Sequence, residues 1–201
     1  TARLLKTRGL AMQSAVPLGE GGMTALIGAE IEAAEEVAKE AAAGGGTCVV
    51  ANDNAPGQVV ISGTLDALAR AGEIAKAKGI KRALPLPVSA PFHCPLMQPA
   101  ADAMAQALAA VTIRPLAVPV LANVTAAAAS DPEAVRRLLV EQVTGRVRWR
   151  ESILALRSLG VDTTIEFGNK VLTGMVKRID KDLATVTLET PADLEAFGKA
   201  L

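Results

Sequence analysis

Residues 47–64 read TCVVANDNAPGQVVISGT. The runs TCVVAN and QVVISG are rich in β-branched residues and predict two strands. DNAPG between them gathers Asn, Asp, Pro and Gly, which tolerate tight backbone geometry, so the stretch reads as a hairpin. It decides the fold because a strand–helix pair flanks it on each side. Upstream, GGMTALIG (21–28) is a short apolar strand opened by glycines, and AEIEAAEEVAKEAAAGGG (29–46) is a helix stopped by a glycine run. Downstream, TLDALARAGEIAKAKG (64–79) is a helix with Thr64 as N-cap and Gly79 as stop, and IKRALPLP (80–87) is another strand. The order βαββαβ across residues 20–84 is the split βαβ, or ferredoxin-like, arrangement.

Outside that unit, TARLLKTRGLAMQ (1–13) reads as a helix from its first residue, with Leu4, Leu5 and Ala11 toward a core. Nothing caps it and no methionine begins it, so the chain reads as starting mid-fold. Beyond residue 85, CPLMQPAADAMAQALAAV (94–111) is a helix with Leu96, Met104 and Leu108 on its apolar side. VPVLANVT (118–125) reads as a buried strand, and AAAA (126–129) as a loop or helix lead-in. SDPEAVRRLLVEQVTG (130–145) is a capped helix with proline in its first turn, followed by the helix RWRESILALRSLG (148–160). VDTTIEFG, NKVLTGMVKRID, ATVTLE and TPADLEAFGKAL complete a strand–helix–strand–helix series. The alternation predicts a mostly parallel sheet with helices on its faces. The class is α/β: a ferredoxin-like domain at 20–84, within or ahead of part of a larger α/β domain formed by 1–19 and 85–201.

Half of the 201 residues are hydrophobic, but only 2% are aromatic, so the core is built from Ala, Val and Leu. Twenty-one basic residues balance twenty-one acidic ones, which argues against a nucleic-acid partner. No apolar run reaches the length of a membrane span, and no secretory signal pattern opens the chain. Cys48 and Cys94 fit no metal or redox spacing; the expectation is two free thiols in a reducing, cytoplasmic setting.

The single histidine, His93, lies in LPLPVSAPFHCPLMQP (84–99), between prolines 85, 87, 91, 95 and 99. Two readings stand. A lone histidine often only packs, yet a stiff strand-to-helix loop presents a side chain at little entropic cost, and a neutral imidazole suits a general base. None of the serines, at 14, 62, 89, 130, 152 and 158, sits in a G-x-S-x-G elbow. Cys94 adjoins His93, but neighbours along a chain rarely face one another. Arg8 is either part of a solvated helix face with Arg3 and Lys6 or a bidentate clamp for a carboxylate. Asn52, Asn54 and Gln58 either satisfy the Pro-Gly turn or bind a ligand. EFGNKVLTGMVKR invites a phosphate-loop reading but lacks the G-x-x-x-x-G-K-[ST] spacing.

Five ordered segments, RGLAMQSAVPLGEGGMTALIG, NAPGQVVISG, KRALPLPVSAPFHCPLMQPAADAM, PVLANVT and KVLTGMVKRI, together resemble the malonyl-CoA:acyl carrier protein transacylase family of bacterial type II fatty acid synthesis. The resemblance implies an α/β-hydrolase-like acyltransferase domain carrying an inserted ferredoxin-like subdomain. It implies transfer of malonyl from malonyl-CoA to the phosphopantetheine thiol of acyl carrier protein through a malonyl-serine. Coenzyme A enters as a substrate thioester, with no cofactor or metal. His93 falls on the catalytic histidine, and Arg8 on the arginine that pairs with the malonyl carboxylate. Gln142 falls on the residue whose backbone carbonyl orients the histidine, so its side chain is expected to matter little. Phe92 matches the bulky residue that disfavours a methyl branch, and Asn54, Gln58 and Asn123 match polar positions near the site.

Two departures stand out. The family's G-H-S-x-G elbow lies upstream of the arginine-bearing helix and is not among these residues, so the chain resembles the C-terminal two-thirds of the enzyme and is expected to be inactive alone. Its GNK before VLTG is one residue shorter than the family's G-P-G-K. Three competing readings are an acyltransferase domain of a polyketide or multi-domain synthase, a non-catalytic carrier-docking module, and a different hydrolase using Ser89 or Cys94. Lys76, Lys78, Lys81 and Arg82 are candidate cations for an acidic carrier.

Overall fold

The structure is a computed structural model and describes residues 1–200. Helix α1 (Ala2–Ser14) leads to β1 (Gly21–Ile27), α2 (Ile31–Ala43), β2 (Cys48–Ala55), β3 (Gln58–Thr64), α3 (Leu65–Ala77) and β4 (Arg82–Pro85). The hairpin at 47–64 forms as read, β2 pairing antiparallel with β3. β1 pairs antiparallel with both β3 and β4, and the sheet order is β2-β3-β1-β4. Alternation along β3 sends Val59 and Ile61 into a core with α2 and α3, while Val60 joins Met23, Ala25 and Ala51 on the opposite face. That second face is covered by Leu86 and Phe92. Gly63 has no alternative: a Cβ there would lie 1.8 Å from the Thr47 carbonyl oxygen. Thr64 stands at the N-cap of α3 as expected, but its hydroxyl makes no cap bond and is buried without a partner.

The chain continues through a 3₁₀ turn (Pro95–Met97), α4 (Gln98–Ala109), β5 (Val120–Ala122), β6 (Ala127–Ala129), α5 (Pro132–Thr144), α6 (Trp149–Ser158), β7 (Thr163–Phe167), α7 (Val171–Ile179), β8 (Ala184–Leu188) and α8 (Pro191–Ala200). Asp131 caps α5 by accepting from the Ala134 N–H, with Pro132 in the first turn. Three expectations change here. The strand at 118–125 shortens to three residues and is not buried. It pairs antiparallel with β6, so the AAAA run is a strand and not a loop or helix lead-in. Among the described residues, the mostly parallel sheet reduces to one pair of parallel strands, β7 with β8, joined by α7. Alanine has little strand preference of its own; Ala126, at φ 53°, turns the chain back and pairing makes the strand.

Helix α1 lies beside α4 and α5, where Met12, Val16, Met97, Ala100, Met104, Leu108 and Val143 are buried together. Leu4 and Ala11 pack against this cluster, but Leu5 is 64% exposed, against the expectation that it faces the core. A smaller cluster of Ile153, Val176 and Leu183 joins α6 and α7. No described helix is long and apolar enough to cross a membrane.

Backbone bonds and an ion pair near β2 join the four-stranded sheet to the C-terminal segments. The Val147 N–H donates to the Ala51 carbonyl (2.8 Å), and the Asp53 N–H donates to the Val147 carbonyl (2.9 Å). Asp53, only 2% exposed, accepts from Arg150 Nε on both carboxylate oxygens at 3.0 and 2.9 Å.

Candidate functional site

The loop from Pro85 to Cys94 is held by a few buried anchors. Of its prolines only Pro91 is buried, wedged against Gly21, where a Cβ would lie 2.6 Å from the ring. Ala90, Cys94 and Met97 are also fully buried. The Cys94 thiol donates to the Pro91 carbonyl (3.0 Å), and the Met97 N–H donates to the Cys94 carbonyl (3.0 Å). The backbone is thus fixed on both sides of His93, which adopts φ 58°, a left-handed conformation uncommon outside glycine.

His93 Nδ1 lies 3.1 Å from the Gln142 carbonyl oxygen. A carbonyl only accepts, so Nδ1 carries the hydrogen and Nε2 keeps the lone pair. Burial pushes the His93 pKa below its usual value; the Gln142 carbonyl opposes this, the Arg8 charge adds to it, and the Gly145 carbonyl opposes it. The imidazole is therefore held neutral and basic at Nε2.

Arg8 is half-buried on α1 and shares a cavity of about 540 Å³ with Gln142, Leu4, Met104, Leu108 and Leu139. Among the described residues no hydrogen bond or ion pair engages its guanidinium. Asn123 shares a second recess of about 150 Å³ with Gln142, and its carbonyl accepts from the Arg148 N–H. Arg8, His93, Gln142 and Asn123 thus form one neighbourhood where α1, the His93 loop and the end of α5 meet. Phe92 packs between the α1–α4–α5 core and the four-stranded sheet.

The remaining candidates lie elsewhere. Gln58 is at the hairpin, where its amide oxygen accepts from Arg178 of α7 (2.6 Å), while the Pro56 carbonyl takes a second bond from Arg178 (2.8 Å). Asn54 is half-buried on the bulged edge strand β2. Lys78 is engaged by Glu36 and Glu40. In the shortened GNK turn, Lys170 is left-handed at the N-cap of α7, and Glu166 accepts from the Leu172 and Thr173 N–H groups, supplying the helix start with a carboxylate.

Neither alternative nucleophile is set up to react. Ser89 Oγ accepts from Gln13 Nε2 (2.7 Å) on an exposed surface. Burial raises the Cys94 pKa, which disfavours a thiolate. The sequence reading missed two groups: Asp53, whose partner lies 97 positions away, and the Gln142 side chain, whose Nε2 donates to the Gly145 carbonyl (3.0 Å) and the Arg146 carbonyl (3.4 Å). A glutamine three residues before a glycine at a helix end was the only signal for the latter.

Comparison with known proteins points one way. A family model described as acyl transferase domain matches residues 1–181. A malonyl CoA-acyl carrier protein transacylase from Salmonella typhimurium is 46% identical over 195 residues, covering 96% of this chain. The crystal structure of an acyl-carrier-protein S-malonyltransferase from Bartonella henselae superposes with a TM-score of 0.94 at 52% identity over the whole chain. A type II PKS acyl-carrier protein in complex with its malonyl-transacylase also matches, with a TM-score of 0.93 and 41% identity over 99% of the chain. The chain spans 63% of the Salmonella protein and 64% of each matched chain in the two structures.

Proposed function

This chain belongs to the acyl transferase domain family, and from that premise we propose that the protein it represents moves a malonyl group from malonyl-CoA to the phosphopantetheine thiol of acyl carrier protein, for fatty acid synthesis. The observation that carries the reading is the Nδ1 contact of His93 with the Gln142 carbonyl, which leaves Nε2 as a base beside Arg8. His93 takes the proton of an elbow serine that is not among these 201 residues, as that serine attacks the malonyl thioester. The imidazolium then protonates the departing coenzyme A thiolate. In the second half, His93 takes the carrier thiol's proton, the thiolate attacks the malonyl-serine, and the serine oxygen leaves with the proton. Arg8 holds the malonyl carboxylate bidentately, so an acetyl group leaves a cation without its partner. In this reading Asn123, which shares a recess with Gln142, lines the acyl site, while Phe92, Asn54 and Gln58, which the fold places farther from Gln142, act on its shape from a distance.

In the same reading residues 20–84 are the ferredoxin-like subdomain, supported by the sheet order and by two helices packed on one face. Residues 1–19 and 85–201 are part of an α/β-hydrolase-like domain, supported by the apolar side chains of β7 that stay exposed. Two free thiols fit a cytoplasmic setting. A polyketide carrier is the second reading, supported by the matched complex of a malonyl-transacylase with a type II PKS carrier. Comparing rates with the two carrier types separates them.

In the longer protein, His93→Ala is expected to slow transfer by roughly 10²–10⁴. Arg8→Ala should narrow the preference for malonyl over acetyl; an unchanged ratio overturns the clamp. The 201-residue chain alone should form no malonyl adduct, and an adduct seen by mass spectrometry overturns that. The depressed His93 pKa keeps the base form below pH 6.5, so kcat/KM should hold below that value. Stability runs the other way as pH falls. The unfolded chain takes up a proton near 6.5 that the folded imidazole refuses, so stability is complete above 6.5 and declines toward the lower folded value.

A further inference from the structure

We propose that the side chain of Gln142 is a positioning residue: by closing the turn that ends α5, it holds its own backbone carbonyl on His93 Nδ1 and so fixes which nitrogen is the base. The inference rests on His93 being the base in the reading above.

A helix leaves its last carbonyls without intrahelical partners. α5 ends at Thr144, and Gly145 departs into extended backbone with ψ 151°. The Gly145 N–H returns to the Glu141 carbonyl at 2.8 Å, leaving the next carbonyl, that of Gln142, to accept from His93. Its direction depends on where the chain goes next.

Downstream, that path is secured at Val147 by two backbone bonds to β2, and at Arg150 by Asp53. Between the helix end and this anchor lie Gly145 and Arg146. Among the described residues, the donor that bridges their carbonyls back to the helix is Gln142 Nε2. The turn is also close-packed: a Cβ at Gly145 would lie 2.8 Å from the Glu141 oxygen and 2.7 Å from Val124. The glutamine therefore acts through both its halves, its amide closing the turn and its carbonyl choosing the imidazole tautomer. An expectation that only the backbone of this residue counts leaves the amide unused.

The test uses the chain's single histidine, whose ring nitrogens give one unambiguous set of ¹⁵N signals above the His93 pKa. The unsubstituted chain is expected to show Nδ1 protonated and Nε2 bare. Gln142→Met keeps the length and removes the donor, and should move the signals toward a mixture with protonated Nε2. Gln142→Lys restores an N–H donor and should return them toward the original. A Gln142→Met chain that is folded by circular dichroism and keeps the original tautomer overturns the proposal, because a merely structural role lowers the melting temperature without changing the ring. If Gln142→Met does not fold, Gln142→Glu, which keeps the shape without the N–H donor, decides: a shift toward protonated Nε2 supports the proposal and the original tautomer overturns it. Failure of the assignment of His93 as the base shows separately, as a longer protein whose His93→Ala variant transfers malonyl at the original rate.

Discussion

Residues 21–85 and residues 118–188 meet water in opposite ways. In the first, a four-stranded sheet is covered on both faces, by α2 and α3 on one side and by Leu86 and Phe92 on the other. In the second, two sheets of two strands each leave Val120, Ile165 and Phe167 exposed at 45%, 42% and 72%. Parallel strands are ordinarily buried on both faces, and two strands alone are marginal in water. One region closes its own core, whereas the other keeps a small cluster around Ile153, Val176 and Leu183 and offers the rest as surface. The stability of this chain should therefore be concentrated in the sheet that stands apart from the candidate chemistry.

The sharpest way to break that contrast is Ile61→Ala, which empties a fully buried position of the first region. It should cost about 3–4 kcal/mol in denaturant unfolding. A loss under 1 kcal/mol would mean that the four-stranded sheet is not the anchor.

Asp53→Ala, at the joint between the regions, comes next. It strands the Arg150 guanidinium, and the expected loss is about 2–3 kcal/mol. This lies below the cost at fully enclosed pairs because a quarter of the Arg150 side chain is exposed. Arg150→Met added to Asp53→Ala should recover part of that loss. Burial raises the Asp53 pKa despite Arg150, so protonation is favoured in the folded state. This carboxyl's unfavourable contribution is present above its folded value and eases as pH falls toward the ordinary 3.8, the reverse of the His93 effect. A pH–stability curve of Asp53→Asn should lack that easing.

The smallest effect is expected in the second region. Phe167→Ser removes a large apolar group already in water and should change unfolding free energy by no more than about 0.5 kcal/mol, while reducing self-association in light scattering. A cost comparable to that of Ile61→Ala would show that β7 is buried in solution and would erase the contrast.

The same division marks what the sequence could reveal. The hairpin at 47–64 was legible because Pro56 and Gly57 sit between two β-branched runs, and such turn chemistry is local. Asp131 with Pro132 announced α5 for the same reason. The helical spacing of α1 identified an apolar stripe, but spacing cannot say which of its residues find a neighbour, and Leu5 does not. The strand at 127–129 has no local signal, since alanine forms it only by pairing with Val120–Ala122. At the site, the resemblance pointed to His93 and Arg8 through its ordered segments and to Gln142 outside them, and the structure brings His93 against the Gln142 carbonyl. The Asp53–Arg150 pair and the Gln142 amide were not, because the first depends on tertiary docking and the second on the path of a turn.

The left-handed backbone of His93 also bears on how this position can be substituted. Alanine there removes the imidazole and also leaves a Cβ-bearing residue in a conformation that asparagine tolerates better. Part of any loss on His93→Ala is then a shifted loop, pulling on Pro91 and Cys94, and not missing proton transfer. Asparagine is the matched comparison: it suits the backbone and supplies no base. The difference between the two variants measures how much of the histidine's importance is chemistry and how much is shape.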